Sequence, residues 1–325
     1  MNDKELTAVQ LMNEYGKDKI PFLFIIDFEM KQPVVIKLSE INPSSFLFNI
    51  NGKKNYNIKT ELSNSVLFEK YPVSYEKYIS VYENILKEIN AGNTYLLNLT
   101  FPTKIATNLT LEQIFFFSRA EYKLLCKNKF VVFSPESFVK ISDGIISSFP
   151  MKGTIDSSIE NAEQVILNNP KEIAEHNTIV DLIRNDLSMV SKNVRVEKYR
   201  YVEKIITNNK TLLQISSKIS GEVGNDFYRG IGEIIFKLLP AGSISGAPKK
   251  KTVDIIKSSE IYSRGFYTGV FGYFDGSSLD SGVMIRFIEK TDEGLIFKSG
   301  GGITFMSSPE SEYQEMIDKV YVPIT

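Results

Sequence analysis

GFYTGVFGYFDGSSLDSGVMIRFIEKTDEGLIFKS, residues 265–299, reads as three strands separated by two polar turns. Gly265 to Phe274, Gly282 to Lys290 and Leu295 to Ser299 are rich in aromatic and β-branched residues. Asp275-Gly276-Ser277 and Asp292-Glu293-Gly294 supply the turn chemistry between them. Links this short join antiparallel strands, because a parallel pair needs a crossover of about a dozen residues or more. The stretch therefore predicts an antiparallel meander, and with it an α+β layered fold rather than a doubly wound parallel sheet. In the middle strand, period-two alternation puts Arg286 on the apolar face of Met284 and Ile288. A guanidinium there needs an anion, either a protein carboxylate or one carried by a ligand.

Outward from this stretch the periodicity changes. Ile231 to Leu239 and Lys249 to Ser259 carry helical spacing, and a last helix opens at Ser308-Pro309 with Ser308 as N-cap. Tyr78, Ile79, Tyr82, Ile85, Leu86 and Ile89 define a helix from Tyr75 that stops at Ala91-Gly92-Asn93. Thr94 to Phe101 and Phe130 to Phe133 read as strands, Leu111 to Ser118 as a helix, and Phe138 to Phe149 as a hairpin turning at Asp143-Gly144. Phe22 to Phe28 and Val34 to Leu38 read as strands opening a small β region that runs to about Leu67, before Tyr71-Pro72-Val73-Ser74 breaks the pattern. The expected organisation is a short N-terminal β region over 1–70, packed on a main domain over 71–325 with no linker between autonomous units.

Inventory narrows the chemistry. Lys and Arg number 38 against 39 Asp and Glu, a formal charge of −1, so no global field recruits nucleic acid or an acidic membrane. The one cysteine, Cys126, has no partner for a disulfide or a CxxC site and sits in an apolar setting that suggests a buried or half-buried thiol. With a single histidine, His176, nucleophile systems of the Ser-His or Cys-His type and zinc sites of His/Cys type are disfavoured. Acids, bases and nucleophiles must then be Glu, Asp, Lys or Tyr, and a metal must be a hard, oxygen-ligated cation such as Mg²⁺. The start, Met1-Asn2-Asp3-Lys4-Glu5-Leu6, lacks the apolar core of a signal peptide, and no run approaches the roughly 18 apolar residues of a membrane span. A soluble, cytoplasmic protein is expected.

Several segments stand out as candidates for chemistry or for holding the fold. Pro150-Met151-Lys152-Gly153-Thr154 holds a lysine between chain breakers after a strand-like run. It is either a solvated loop lysine or a desolvated amine able to act as nucleophile or base. Asn169-Pro170-Lys171-Glu172 starts a helix on which Glu172, placed to close a capping box, and Glu175 share a face; Glu312 and Glu315 repeat that spacing on the last helix, with Lys319 one turn on. Such pairs are either solvated surface carboxylates or, on facing helices, an oxygen-only site for Mg²⁺. Gly242-Ser243-Ile244-Ser245-Gly246-Ala247-Pro248 and Gly300-Gly301-Gly302 match neither a P-loop nor a dinucleotide fingerprint, which leaves close approach to a small ligand or plain turns. Asp181-Leu182-Ile183-Arg184-Asn185-Asp186 reads as an internal salt-bridge network.

Taken in order, Pro135-Glu136, PMKGT, Glu175-His176 with DLIRND, GSISGAPKK, Arg264-Gly265-Phe266-Tyr267-Thr268-Gly269, Ile285-Arg286, the triple glycine and Glu312-Tyr313-Gln314-Glu315 with Lys319 resemble the chorismate-utilising enzymes. That family holds anthranilate synthase component I, aminodeoxychorismate synthase component I, and the isochorismate and salicylate synthases. The resemblance runs from about Tyr71 onward. It implies antiparallel sheets packed face to face with helices outside, and a Mg²⁺-dependent site for chorismate. Glu175 and Glu315 match the principal metal ligands, with Glu172 and Glu312 acting directly or through water. Tyr267, Arg286, Lys319, Gly300, Gly301, Gly302, Gly153 and Thr154 match the substrate-holding set, and Glu136 the general acid that protonates the departing 4-hydroxyl.

Two positions suggest the branch. Isochorismate and salicylate synthases carry a water-activating lysine in the strand after the first helix, where this chain has Leu96 and Leu97. The family's anthranilate synthases resemble PIAGT and its aminodeoxychorismate synthases PIKGT, so Lys152 aligns this chain with the latter. The implied activity is amination of chorismate at C4 to 4-amino-4-deoxychorismate, for folate and p-aminobenzoate synthesis. No glutaminase Cys/His pair surrounds Cys126 or His176, so ammonia would come from solution or from a glutamine amidotransferase subunit. The chain departs from the family pattern in its short region before Tyr71, in Leu96 where a glutamine is common, and in Ser188-Met189 where Gly-Arg follows RND.

Overall fold

Strand pairing is antiparallel throughout the computed structural model, which describes residues 2–57, 65–206 and 211–324. Two nine-stranded sheets form. The first runs Met151–Asp156, Thr211–Glu222, Ile145–Ser148, Ser137–Ser142, Leu279–Val283, Val270–Phe274, Phe22–Ile26, Val34–Lys37, with Lys192–Ile206 also on Thr211–Glu222. The second runs Gly246–Ala247, Leu96–Thr107, Gly294–Ile303, Phe287–Thr291, Phe130–Ser134, Tyr122–Cys126, Phe46–Ile50, Lys53–Lys54, with Phe68–Tyr71 also on Leu96–Thr107. Leu23, Ile25 and Phe271 of the first sheet pack against Phe48, Leu124, Val132 and Phe287 of the second, so the sheets meet face to face across an apolar layer. Helices cover the outside, and the expected α+β arrangement of antiparallel sheets packed face to face is the one present.

The meander is where reading and structure part. Gly282 to Lys290 is not one strand: Leu279–Val283 pairs with Val270–Phe274 in the first sheet, and Phe287–Thr291 with Gly294–Ile303 in the second. Met284, Ile285 and Arg286 carry the chain from one sheet to the other, with Arg286 at φ +50°. Period-two alternation counts only within a continuous strand, so it fails across this step. Met284 and Ile288 are fully buried while Arg286 is half-buried, off their face. Gly265 to Gly269 is likewise a run of turns rather than strand, with Tyr267 N donating to Arg264 O at 3.1 Å.

The segment before Tyr71 supplies strands to both sheets: Phe22–Ile26 pairs with Val270–Phe274, and Phe46–Ile50 with Tyr122–Cys126. Residues 58–64 lie outside the described residues. The sequence reading missed the helix Asp3–Lys17, which opens with a capping box between Asn2 and Glu5. It packs on the helix Ile231–Leu238, where a Cβ on Gly232 would stand 2.5 Å from Val9 O. Lys249–Ser259 and the hairpin over Ser137–Ser142 and Ile145–Ser148 lie where their patterns put them.

Candidate active site

The chain also steps directly from one sheet to the other at Pro135-Glu136, between Phe130–Ser134 and Ser137–Ser142. The two crossings are hydrogen-bonded together: Val283 N donates to Glu136 O at 3.0 Å and Phe133 N to Arg286 O at 3.1 Å. Glu136 and Arg286, 150 positions apart in sequence (286 − 136), thus reach one cavity of about 1350 Å³. That cavity is also lined by Lys152, Gly153, Thr154, Glu172, Glu175, Tyr267, Gly300, Gly301, Gly302, Glu312, Glu315 and Lys319. Every residue that the resemblance assigned to the site therefore lines the same space.

Lys152 belongs to the strand Met151–Asp156, which pairs with Thr211–Glu222 through a bulge between Lys152 and Thr154. Gly153, at φ +76°, is the extra residue, and a Cβ there would stand 2.9 Å from Glu172 Oε2. The bulge brings the amine close to Gly302, whose missing side chain makes room: a Cβ would stand 2.9 Å from Lys152 Nζ. Lys152 Nζ donates to Glu175 Oε2 at 3.2 Å. Burial alone would lower its pKa, but Glu175, Glu315 and Glu172 override that and hold it above the ordinary lysine value.

Glu136 has the opposite balance. Burial raises its pKa above the usual carboxylate range, although the Ser243 hydroxyl donates to Oε1 and Lys152, Lys319 and Arg286 pull the other way. A carboxyl whose acid form is favoured by burial beside a cavity is suited to giving a proton away. Ser243, part of GSISGAP, is the contact that sequence reading missed.

Asn169 caps the helix Pro170–Ser188 by accepting from Lys171 N at 3.0 Å and Glu172 N at 3.2 Å. Glu172 closes no capping box; its carboxylate turns to Gly153 instead. Ser308 starts the facing helix Pro309–Asp318, on which Glu312 is only 2% exposed. Lys171, read from sequence as part of a helix start, bridges the helices, with Nζ 2.6 Å from Glu312 Oε1 and 3.7 Å from Glu175 Oε1. Burial would raise the Glu315 pKa, but Lys319 at 2.6 Å, with Lys152 and Lys171, holds it below the ordinary value. Lys319 also donates to Gly300 O at 2.8 Å.

These donors fit Mg²⁺ in chemistry. Four carboxylates from two helices face one cavity, and Glu175 Oε1 is buried without a hydrogen-bond partner. A Cβ on Gly301 would come within 3.3 Å of Glu312 Oε2 and 3.6 Å of Glu315 Oε1, so glycine keeps the space between them open. Among the described residues no three acidic, His or Cys side chains stand together as a closed metal site, because Lys152, Lys171 and Lys319 are interleaved with the carboxylates.

Two motifs resolve into structural roles. His176 is buried, shares a 2.7 Å hydrogen bond through Nε2 with Ser217 Oγ, and is kept neutral by burial, which pushes its pKa down to about 4. Of the charged residues in DLIRND only Asp186 is internal, accepting from Lys249 Nζ at 2.6 Å; Asp181 and Arg184 pair at the surface. The expected internal network is therefore one buried pair, since three residues of helix turn the other two outward. Cys126 is buried. Among the described residues no helix is long and apolar enough to cross a membrane.

A fold of two face-to-face antiparallel sheets with carboxylate helices around one cavity defines a class, and the chain belongs to the chorismate binding enzymes, whose family model matches residues 33–325. It is 50% identical to an uncharacterized PabA-like protein of Pasteurella multocida over 317 residues, 97% of this chain and 98% of that one. It is 28% identical to aminodeoxychorismate synthase component 1 of Bacillus subtilis over 307 residues, 88% of this chain and 62% of the other. MenF, the menaquinone-specific isochorismate synthase of Escherichia coli, shares the fold at a TM-score of 0.74 and 16% identity, over 98% of this chain and 80% of that one.

Proposed function

We propose that this chorismate-utilising enzyme is an aminodeoxychorismate synthase component I, replacing the 4-hydroxyl of chorismate by an amino group. The observation that carries the reading is Lys152, aimed past Gly302 into the cavity that Glu136 and the four glutamates share. Glu136 gives its proton to the departing 4-hydroxyl, which leaves as water. The neutral Lys152 amine bonds to C2 as the C4–O bond breaks, and both ring double bonds shift, C1=C2 to C1=C6 and C5=C6 to C4=C5. Ammonia then attacks C4, both double bonds shift back, the C2–N bond breaks, and the lysine is released with the proton balance closed by loss of one proton from the incoming amine.

Lys152 acts only after giving up its ion pair with Glu175, since an ammonium group has no free electron pair. Glu175 and Glu315, aided by Glu172 and Glu312, would hold Mg²⁺, which supplies Lewis-acid charge and a template for the ring carboxylate when bound. Arg286, Tyr267, Lys319, Thr154 and the backbone of Gly153 and Gly300 to Gly302 hold the substrate. Leu96 and Leu97 are buried and carry no group to activate water, which favours amination over hydroxylation. The likeness to the Bacillus subtilis synthase supports the same branch. Ammonia comes from a glutamine amidotransferase subunit or from solution, and the product feeds p-aminobenzoate and folate synthesis. The reading is tested by incubating the protein with chorismate, Mg²⁺ and ammonium and identifying the product by chromatography.

A further inference from the structure

The residues after the helix Pro309–Asp318 carry a group that this reaction leaves unused. Val320 is buried, and Val322 and Ile324 pack against the same apolar cluster under the second sheet. Arg119 N donates to Pro323 O at 2.9 Å, and Ser118 and Ile324 form an antiparallel bridge. Val320, Val322 and Ile324 pack into that cluster, while Tyr321, between the first two, is exposed. Its ring is 45% exposed, lines the cavity, and lies 5.3 Å from the Arg286 guanidinium carbon.

Among the described residues the Arg286 guanidinium donates to no protein acceptor and pairs with no carboxylate; the Tyr321 ring is its recorded partner. Its backbone, held by the bond from Phe133 N, fixes where the side chain starts but not the plane of its fork. An unpaired guanidinium in an open cavity samples many orientations, whereas stacking on an aromatic face selects one plane and leaves the edge N–H groups free. A carboxylate approaching in that plane receives two parallel hydrogen bonds.

We propose that Tyr321 is a positioning residue: its ring holds the Arg286 fork in the plane that receives a substrate carboxylate, the one remote from the glutamate pairs. The inference rests on the cavity being a chorismate site. Because Tyr321 acts before chemistry, it governs binding rather than turnover. Tyr321→Leu keeps an apolar side chain without the ring, and Tyr321→Phe keeps the ring without the hydroxyl.

Calorimetry with chorismate and Mg²⁺, together with steady-state rates, reads the effect. Tyr321→Leu raises Kd and KM for chorismate about three- to ten-fold with kcat within about two-fold, and Tyr321→Phe stays within about two-fold of the wild type. In an Arg286→Gln background Tyr321→Leu costs less than about two-fold more, because the ring then has no fork to hold. Unchanged binding in Tyr321→Leu, a Tyr321→Phe as weak as the leucine variant, or additive losses in the double variant each overturn the positioning role alone. A wild-type protein that binds no chorismate overturns the functional reading, and this inference with it.

Discussion

Two lysines, Lys123 and Lys152, show how differently two regions of the molecule treat the same side chain. Lys123 is 5% exposed beneath the helix Leu111–Phe117, donating to Phe115 O at 2.6 Å and Ser118 O at 2.9 Å, with no carboxylate as partner among the described residues. Burial there, helped by Lys54, pushes its pKa down to about 8. Lys152 is also desolvated, yet Glu175, Glu315 and Glu172 turn the balance and raise it. Burial alone makes a lysine easier to deprotonate; carboxylates decide whether it stays charged. The amine of Lys152, the proposed nucleophile, is thus held as an ion pair, while that of Lys123 is held by backbone carbonyls alone among the described residues.

The comparison breaks first at Lys152. Lys152→Ala lowers amination by more than about a thousand-fold, since removal of a nucleophile takes away the path itself, while its unfolding midpoint stays close to the wild type. Turnover that survives the substitution contradicts a nucleophilic lysine. Next comes the carboxylate that restrains it. Glu175→Gln raises the Mg²⁺ concentration for half-maximal activity at least about ten-fold, and does so more than it changes stability. Equal activity at the same Mg²⁺ level refutes the ligand assignment.

The smallest effect sharpens the other side. Lys123 has a folded pKa of about 8, below its unfolded value, so between the two the unfolded chain binds more protons and stability rises with pH. Relative to Lys123→Met, wild-type stability should climb by roughly 2–3 kcal/mol from pH 8 to pH 10.5, in denaturant titrations across that window. Parallel curves for the two proteins would show that Lys123 is charged at little cost.

Local signals carried most of the elements. Asn169-Pro170 and Ser308-Pro309 announce their helices through capping chemistry, and the glutamates three apart on each are legible as shared faces. Asp143-Gly144 marks its hairpin as plainly. What local pattern does not hold is partner choice. Met284-Ile285-Arg286 has no glycine or proline to mark a change of sheet, so one strand was expected where two halves belong to different sheets. The helix Asp3–Lys17 buries only Ala8, Val9, Met12 and Gly16, too weak a stripe to outweigh its polar residues, although Asn2 and Glu5 were a usable signal. Within the site, residue types were legible and their contacts were not: Ser243 reaches Glu136 across 107 positions, and Lys171 reaches Glu312 across 141. Such contacts are made by the two sheet crossings and the facing helices, which exist only after the sheets have paired.

The central claim is amination of chorismate at C4, and chromatography of the product formed from chorismate, Mg²⁺ and ammonium addresses it most directly. The account predicts 4-amino-4-deoxychorismate, convertible to p-aminobenzoate only when a lyase is added. Anthranilate and pyruvate appearing without a lyase, or isochorismate, would contradict it.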